Sequence, residues 1–306
     1  MTKNKNTCIV IVGPTAVGKT SLALALARHF HTDIISADSR QCYREISIGV
    51  AKPTADELNS VKHYFINSHS IAETLTAADF ENYALSASKE IFNQNNIAVM
   101  VGGTGLYVNA FCQGLDAIPP IDAVIRQQIR TGYENYGIKW LQEAIAKNDP
   151  VYFSNGEIQN PQRVMRALEV VLSTGNSIRY YQQGNKAARD FNCIKIGLNL
   201  PKPLLHENIN KRVDGMLQEG LVKEVKQVLA YRNHNALQTV GYKEVFAFFD
   251  GEYDLATTIE KIKINTRQYA KRQITWFKKD AEIEWFNPSE LQLILKYLFG
   301  RLVELR

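Results

Sequence analysis

The residues best suited to chemistry lie near the start of the chain, in the stretch Gly13-Pro-Thr-Ala-Val-Gly-Lys-Thr20. An apolar run at residues 8–12 precedes it, and a segment without glycine or proline follows at residues 21–30. A Gly-x4-Gly-Lys-Thr sequence between a strand and a helix is the pattern of a phosphate-binding loop. Its glycines let backbone N–H groups turn inward on an anion, and the N-terminus of the helix adds positive potential. This stretch therefore predicts a site for a diphosphate or a triphosphate.

Two side chains of the loop have the chemistry that such a site needs. Lys19 can reach terminal phosphate oxygens, and the Thr20 hydroxyl can ligate the Mg²⁺ that neutralises them. The residues that we expect to contact the phosphate groups are Gly13, Thr15, Ala16, Val17, Gly18, Lys19 and Thr20. A loop of this kind recognises phosphate but not the group attached to it, so the reaction stays open.

Two further apolar runs are predicted to bring polar residues to the phosphate loop. Residues 33–38 read as a strand that ends at Asp38, and residues 97–101 read as a strand that leads into Gly102-Gly-Thr-Gly-Leu-Tyr107. In an open parallel α/β sheet, ligands bind at the carboxyl ends of the strands. We therefore expect Asp38, Ser39 and the glycine-rich stretch to lie beside the phosphate loop.

The remaining pattern predicts an α/β protein with an inserted lobe. Residues 77–93 read as a helix with Phe80, Ala84, Ala87 and Ile91 on one face. Residues 122–183 read as helical, the run at 193–198 returns the chain to the sheet, and residues 283–286 read as an edge strand. The prediction is a P-loop NTPase-like core with a parallel sheet, formed by residues 1–120 and 188–306. An all-helical lobe is predicted to be inserted into it at residues 121–187.

Composition narrows the setting of the protein. The chain has 306 residues, 45% of them apolar, which is ample for a hydrophobic core. No apolar run approaches the roughly 18 residues that a membrane helix needs, and residues 1–6 lack the apolar region of a signal peptide. Its 4 cysteines lie far apart without a Cys-x-x-Cys pair, which argues against a zinc site and a disulfide framework. We expect a cytoplasmic protein without a membrane partner, with a monomer as the default state.

The net charge of +5 is modest, but its distribution is uneven. Residues 261–280 contain seven lysines or arginines and one acid, with Tyr269, Trp276 and Phe277 between them. Such a segment can contact nucleic-acid phosphates while its rings stack or pack, although a basic helix face is often simply solvated. By itself the segment leaves nucleic-acid binding open.

Several functions of the phosphate loop compete at this point. The Asn-Lys-x-Asp that reads guanine in GTPases is missing, and beyond Asp38 no apolar strand ends in the clear magnesium-binding acid of an ATPase motor. A small-molecule kinase with Asp38 as its base fits the pattern. So does an enzyme in which the loop holds a diphosphate as the leaving group. The loop does not distinguish these two chemistries.

Seven motifs in chain order carry a resemblance to a known family. They are Gly13-Pro-Thr-Ala-Val-Gly-Lys-Thr20, Asp38-Ser-Arg-Gln-Cys-Tyr43, Gly49-Val-Ala-Lys-Pro53, Gly102-Gly-Thr-Gly-Leu-Tyr107, Asn160-Pro-Gln-Arg-Val-Met-Arg-Ala-Leu-Glu169, Val240-Gly-Tyr-Lys-Glu244 and Thr266-Arg-Gln-Tyr-Ala-Lys-Arg-Gln-Ile-Thr-Trp-Phe277. Together they resemble the tRNA dimethylallyltransferases, the bacterial isopentenyl-tRNA transferase family, over residues 8–286. The resemblance implies transfer of a dimethylallyl group from dimethylallyl diphosphate to N6 of the adenosine immediately 3′ of the anticodon.

The resemblance also implies roles for individual residues. Asp38 matches the base that takes the N6 proton, Thr104 matches a threonine near the reacting centre, and Arg212 matches an arginine that reaches the diphosphate. Thr20 would ligate Mg²⁺, the implied cofactor. The residues that match contacts to the tRNA anticodon stem-loop are Asp38, Ser39, Arg40, Gln41, Thr104, Arg126, Gln162, Arg163, Val164, Met165, Arg166, Gly241, Tyr242, Lys243, Lys271, Arg272, Gln273, Trp276 and Lys278. Two positions depart from the family pattern, Val50 for a usual threonine and Lys278 for a common arginine.

Three alternatives remain beside this interpretation. An adenylate isopentenyltransferase has the same loop and base but acts on free adenosine nucleotides, whereas the helical insertion and the segment Lys271-Arg-Gln-Ile-Thr-Trp-Phe277 favour tRNA. A P-loop small-molecule kinase would move the γ-phosphate of ATP to an acceptor. A nucleic-acid-binding module would use the phosphate loop only as a structural turn.

Overall fold

The computed structural model of the chain describes residues 6–184 and 186–305. The chain divides into two compact units. The first runs to Gln113 and resumes at Ala188, and the second is Gly114–Ala187. The second unit thus starts at Gly114, whereas the sequence predicted a lobe that starts at residue 121. The stretch Ile118-Pro-Pro-Ile-Asp122, which spans the predicted boundary, belongs to the second unit.

The first unit is built on a parallel sheet of six strands, as far as the structure describes the chain. The strands are β1 (Thr7–Val12), β2 (Ile34–Ser36), β3 (His63–Tyr64), β4 (Ile97–Val101), β5 (Asn192–Leu198) and β6 (Ile283–Phe286). Their order across the sheet is β3-β2-β4-β1-β5-β6, and every neighbouring pair is parallel. The central strand β1 is fully buried, which explains its uninterrupted apolar sequence. The predicted α/β class with a parallel P-loop-type sheet is confirmed.

The part of the chain that the structure describes contains α-helices in both units. In chain order they are α1 (Lys19–His29), α2 (Ala55–Ser60), α3 (Ala77–Phe92), α4 (Gly105–Gln113), α5 (Ala123–Asn148), α6 (Pro150–Asn155), α7 (Pro161–Thr174), α8 (Ile178–Tyr181), α9 (Lys202–Gln218), α10 (Leu221–Gln227), α11 (Tyr242–Phe249), α12 (Leu255–Phe277) and α13 (Leu291–Glu304). Short 3-10 turns lie at Leu229–Tyr231 and Asn235–Leu237. Within the described residues, none of these helices is both long and apolar enough to cross a membrane.

Local sequence explains where the helices of the first unit begin. Thr76 caps α3 by accepting the N–H of Asp79, whose carboxylate in turn accepts the N–H of Thr76. Such a reciprocal cap satisfies two backbone donors at a helix start. The face of α3 that the apolar spacing predicted, with Phe80, Ala84, Ala87 and Ile91, is buried in the core. The strands expected at residues 97–101, 193–198 and 283–286 are β4, β5 and β6.

The second unit consists of α5 to α8 in the part of the chain that is described. It has its own hydrophobic core, formed mainly by residues of α5 and α7 such as Leu141, Ile145, Val164 and Leu168. Helix α5 is interrupted at Gly137, which has φ 71° and ψ −163°. Helix α7 begins with Asn160, whose side chain accepts the N–H of Arg163, followed by Pro161 in the first turn. These signals place the Arg163 to Arg166 segment on one regular helix.

Candidate active site

The carboxyl ends of β1, β2 and β4 open into a cavity of about 350 Å³ in the first unit. The phosphate loop follows β1, Asp38 follows β2, and the glycine-rich stretch follows β4. Further lining comes from helices α9 and α12, from residues 239–241 just before α11, and from the loop at residues 49–53. The residues from the loop and from the strand ends that line it are Thr15, Ala16, Gly18, Lys19, Thr20, Asp38, Arg40, Gln41, Gly102 and Gly103. The sheet therefore brings together segments that are far apart in sequence, at the edge where the sequence placed them.

The phosphate loop has the backbone that its glycines predicted. Gly18 has φ +100°, in the left-handed region, and α1 begins directly after it. The Lys19 ammonium donates to the carbonyl oxygen of Pro14 at 2.6 Å, so the lysine folds over its own loop. Of the seven residues assigned to phosphate contact, Gly13 and Val17 are buried and do not line the cavity. The Val17 side chain packs in the core, so only its backbone is available to an anion.

Two of the cations that line this cavity, Lys19 and Arg212, donate hydrogen bonds to groups of the phosphate loop. Arg212 of α9 donates from Nη1 to the Thr15 hydroxyl at 3.0 Å, and Lys19 donates to a carbonyl. Within residues 6–184 and 186–305, neither of them forms an ion pair. The pKa of Lys19 is lowered to about 7, mainly because the ammonium is buried and also because the positive charge of Arg212 is near, while the Asp38 carboxylate opposes the shift. Burial also lowers the pKa of Arg212. An anion that entered here would relieve both costs.

Asp38 is held by the chain that follows it. Its Oδ1 accepts the N–H groups of Arg40 at 2.8 Å and of Gln41 at 3.3 Å, which fixes the carboxylate at the end of β2. Thr104 does not line the cavity. Its hydroxyl oxygen accepts the N–H of Ser39 at 3.0 Å, so it fastens the segment after β2 to the segment after β4. The expected proximity of Asp38, Ser39 and the glycine-rich stretch is thus present in the structure.

Two glutamines that we assigned to tRNA are engaged inside the protein. The Gln41 amide donates to the carbonyl oxygens of Val50 at 3.3 Å and Ala51 at 3.0 Å. Gln273 is buried, accepts the N–H of Thr15 at 2.8 Å and donates to the carbonyl oxygen of Gly103 at 3.0 Å. It therefore ties the phosphate loop to the glycine-rich stretch. An amide in a basic, aromatic segment reads as a surface group by sequence, and only the packing of α12 on the site reveals its inward direction.

The basic segment lies on α12 and just beyond it. Lys271, Arg272 and Lys278 are exposed, as a surface for an anionic partner requires. Tyr269 lines the cavity, and burial raises its pKa to about 12. Trp276 packs its indole on Gly105, where a Cβ atom would come within 2.1 Å of the ring nitrogen. The segment thus has an exposed basic face and an inner face that packs on α4 and the cavity.

Other assigned RNA contacts divide by burial. Lys243 is exposed and Gly241 lines the cavity, but Tyr242 is fully buried with its hydroxyl on Glu224. In the helical unit Val164 is likewise fully buried in the core. Both side chains are covered by other protein atoms in this structure, so the side chains available to RNA in their segments are those of exposed neighbours. Where a motif lies at the start of a helix, its sequence alone does not show which of its residues are buried and which are exposed.

Three arginines of the helical unit that we assigned to tRNA are paired with acids. Arg126 and Arg166 both approach the Glu169 carboxylate, at 3.6 and 3.3 Å, and the Glu169 side chain is only 13% exposed. Arg163 pairs with Glu157. Gln162 is exposed and Met165 is half-buried. The pairing of α5 with α7 through Glu169 is a tertiary contact, which residue spacing within one helix does not show.

Residues missed by the sequence analysis hold the wall of the cavity formed by residues 49–53. Lys52 donates to the Tyr43 carbonyl oxygen and to Asn67 Oδ1, and burial lowers its pKa. Glu224 of α10 accepts backbone N–H groups of the adjoining residues. Glu224 lies in no motif that we recognised, and an acid near the start of a helix is usually explained by the helix dipole.

The cavity offers hard oxygen donors for Mg²⁺. The Thr20 hydroxyl and the Asp38 carboxylate both line it, and no group of three or more potential His, Cys, Asp or Glu ligands is found in the described residues. Magnesium usually keeps several waters and is held by one or two protein oxygens together with substrate phosphates. The lining residues therefore fit Mg²⁺ that arrives with a diphosphate.

A parallel sheet with a phosphate loop at its carboxyl edge, and with unpaired cations beside an ordered carboxylate, defines a P-loop-type protein whose cavity suits an anionic phosphate ligand. A family model described as IPP transferase matches residues 41–280. The chain is 48% identical to the tRNA dimethylallyltransferase of Christiangramia forsetii over 285 residues, 93% of this chain and 94% of the relative. It is 45% identical to tRNA dimethylallyltransferase 1 of Bacteroides thetaiotaomicron, over 95% of each chain.

Solved structures agree with these relatives. The full-length tRNA isopentenylpyrophosphate transferase of Bacillus halodurans matches with a TM-score of 0.73 and 36% identity, over 98% of both chains. A eukaryotic dimethylallyltransferase captured acting on tRNA matches with a TM-score of 0.77 and 26% identity, over 94% of this chain and 75% of the other. The chain belongs to the IPP transferase family.

Proposed function

We propose that the protein transfers the dimethylallyl group of dimethylallyl diphosphate to N6 of the adenosine immediately 3′ of the anticodon in tRNA, and releases diphosphate. The observation that carries this proposal is the cavity in which the unpaired cations Lys19 and Arg212 lie with the fixed carboxylate of Asp38. The two cations are suited to bind a diphosphate, and the Asp38 carboxylate is suited to accept a proton. The relatives named as tRNA dimethylallyltransferases support the same reaction.

The diphosphate end of the donor would lie in the phosphate loop. When the allylic C–O bond breaks, its electron pair passes to the diphosphate, whose charge grows. Lys19, Arg212 and the backbone N–H groups at the start of α1 would stabilise that charge. Because the cations are already in place, little reorganisation is needed as the bond breaks. Mg²⁺ held with Thr20 would supply further neutralisation of the leaving diphosphate.

The acceptor end of the cavity would be served by Asp38. The lone pair of an exocyclic adenine amine is delocalised into the ring, so the amine is a weak nucleophile. A carboxylate that accepts a hydrogen bond from N6 orients the amine, and takes its proton as the new C–N bond forms. The backbone N–H groups of Arg40 and Gln41 on Oδ1 would hold the carboxylate in place for that transfer.

The tRNA would reach the cavity with one base turned out of its loop. A base in an anticodon loop is easier to extrude than one in a duplex, and extrusion costs a few kcal/mol. The exposed basic residues Lys243, Lys271, Arg272 and Lys278 are the proposed contacts to the stem backbone. We further propose that Ser39 and Arg40 contact the target nucleotide. The enzyme would act as a monomer in the cytoplasm, the compartment that holds tRNA.

A competition assay tests this function. The protein, Mg²⁺ and labelled dimethylallyl diphosphate are mixed with equal concentrations of AMP and an unmodified anticodon stem-loop. We expect the labelled dimethylallyl group to appear in the RNA only. Label in AMP would favour the adenylate isopentenyltransferase alternative. A parallel reaction with ATP labelled in its γ-phosphate, and no allylic donor, tests the kinase alternative, which requires transfer of that phosphate to an acceptor.

A further inference from the structure

One wall of the cavity is held by a carboxylate that does not itself line the cavity. Residues 47–49 direct three successive backbone N–H groups at Glu224 of α10. The Ser47 and Ile48 N–H groups donate to Oε2 at 2.7 and 2.8 Å, and the Gly49 N–H group donates to Oε1 at 2.9 Å. Successive N–H groups that converge in this way form a concavity for an anion. Here the anion is a side chain of the protein.

A fourth donor completes the set. The Tyr242 hydroxyl donates to Glu224 Oε1 at 2.6 Å, and burial together with the negative charge of Glu224 raises the pKa of that hydroxyl. The Tyr242 ring packs directly on Gly49, where a Cβ atom would lie 2.5 Å from the ring carbon Cε2. Glu224 therefore joins the loop at residues 47–49 to the first residue of α11.

The burial of Glu224 makes these bonds matter. Glu224 is 9% exposed, and a carboxylate this far from water is stable only when its oxygens are hydrogen-bonded. Each of its oxygens has two donors. Replacement by an amide keeps the shape but leaves only one good acceptor, so the Gly49 N–H group would lose its partner inside the protein.

The loop that Glu224 holds continues directly into the cavity lining. Gly49, Val50, Ala51, Lys52 and Pro53 all line the cavity. Ala51 has φ +48°, in the left-handed region that is costly for a residue with a Cβ atom, and such a conformation persists only where its surroundings fix it. Gln41 fixes the loop from one side through the Val50 and Ala51 carbonyls, and Glu224 fixes it from the other.

We propose that Glu224 is a positioning residue for the transfer reaction. It sets the cavity wall at residues 49–53 against the phosphate loop, and through Tyr242 it sets Gly241, which also lines the cavity. This inference rests on the proposed function, because it assigns the wall to the allylic diphosphate. Glu224 touches neither substrate. Its loss therefore changes the fit of the allylic diphosphate and leaves RNA affinity unchanged.

The test compares Glu224→Gln with Glu219→Gln, the same change at an exposed carboxylate next to the start of α10. Misplacement of a site by about 1 Å costs on the order of 100-fold in rate. We expect Glu224→Gln to lose roughly 10- to 100-fold in kcat/KM for dimethylallyl diphosphate, with a raised KM. RNA affinity stays within about twofold, and Glu219→Gln behaves as wild type. Hydrogen exchange at residues 47–49 should accelerate in Glu224→Gln alone.

A second variant grades the effect. Tyr242→Phe removes one of the four donors but leaves the three backbone hydrogen bonds, so a loss below about fivefold is expected. The proposal would be overturned if folded Glu224→Gln showed an unchanged KM and unchanged hydrogen exchange at residues 47–49. A lower kcat alone would not rescue it, because a smaller fraction of active protein also lowers kcat. If the wild type transfers no prenyl group, the proposed function fails. The role of Glu224 is then still decided by the hydrogen-exchange data and by calorimetric binding of Mg²⁺-diphosphate to the wild type and to Glu224→Gln.

Discussion

The cations of the two units are prepared for anions in opposite ways. In the first unit, Lys19 and Arg212 donate only to neutral oxygens, and burial lowers the pKa of each. In the helical unit, Arg126 and Arg166 are neutralised by Glu169, which is much less exposed than either arginine. In the first unit the positive charges of Lys19 and Arg212 lower folding stability but remain available to an anionic ligand. In the helical unit a phosphate group must displace the Glu169 carboxylate before it can pair with Arg126 or Arg166.

This contrast indicates which cations should stabilise a bound phosphate group strongly and which should do so only weakly. A diphosphate that enters the cavity gains two half-buried cations, Lys19 and Arg212, that form no ion pair, which favours strong electrostatic stabilisation. A phosphate at the exposed arginines of α5 and α7 gains little, because exposed pairs contribute about 0–1 kcal/mol and salt screens them. Substitutions of the cavity cations should therefore change turnover, and those of the paired arginines in the helical unit should change RNA affinity slightly.

The largest effect is expected at Lys19. Lys19→Met removes one of the two unpaired cations that would stabilise the leaving diphosphate. Loss of one preorganised group of this kind costs on the order of 100- to 1000-fold in kcat. Transfer of labelled prenyl groups to a stem-loop RNA measures it. Lys211→Met is the control, because that exposed lysine is paired with Glu207. A loss below tenfold in Lys19→Met would break the contrast between the units.

The next effect concerns Asp38. Asp38→Asn keeps an oxygen for the Arg40 and Gln41 N–H groups but removes the basic carboxylate. General-base catalysis contributes typically 100- to 10,000-fold, so turnover should fall about 100-fold or more. RNA binding, measured by fluorescence anisotropy, should stay within about threefold. Turnover close to that of the wild type would refute the assignment of Asp38 as the base.

A pH dependence follows from the lowered pKa of Lys19. Below pH about 7 the ammonium is charged and diphosphate binding has its full strength. Above this pKa the free protein carries a neutral lysine, and binding must take up a proton. Affinity should then fall by up to about tenfold per pH unit. Calorimetry in two buffers of different ionisation enthalpy measures the proton uptake at pH 8.

Lys19→Arg serves as the reference for that experiment, since a guanidinium stays charged throughout the range. Titration of the ligand itself affects both proteins equally and cancels in the comparison. Equal proton uptake by the wild type and Lys19→Arg would contradict the lowered pKa.

A smaller effect is expected on the basic helix. Arg272 is exposed on α12 and lies over the Tyr269 ring, with its guanidinium carbon 5.8 Å from the ring centre. Arg272→Ala should weaken tRNA binding about fivefold at moderate salt and lower the slope of log K against log salt by about one. Calorimetric binding of Mg²⁺-diphosphate should not change. An unchanged salt slope would remove this residue from the RNA surface.

The smallest effect is expected in the helical unit, when the acid that pairs with the arginines is removed. Glu169→Gln should release Arg126 and Arg166 for RNA phosphates and remove a repulsive charge. We expect RNA affinity to rise about two- to threefold at low salt, an effect comparable to a surface ion pair. Glu134→Gln, an exposed acid on α5, is the control. Weaker RNA binding in Glu169→Gln would show that the carboxylate orients the arginines rather than competing for them.

How much the sequence predicts depends on whether a feature is local. The phosphate loop, α3 and the strands at residues 97–101, 193–198 and 283–286 follow from runs of residues within one element, and all were predicted. The inward direction of Gln273, the burial of Tyr242 and the four donors on Glu224 depend on elements distant in sequence. No spacing within one segment encodes such contacts, because packing decides which face of a helix is covered.

The most direct test of the account measures both products of a single turnover. Wild-type protein in excess over dimethylallyl diphosphate is mixed with Mg²⁺ and unmodified tRNA, and the diphosphate released and the prenylated adenosine formed are quantified together. The account predicts equal amounts of the two, with the five-carbon group on the adenosine 3′ of the anticodon. Release of diphosphate without the adduct would contradict it, and so would formation of dimethylallyl monophosphate together with phosphorylated RNA.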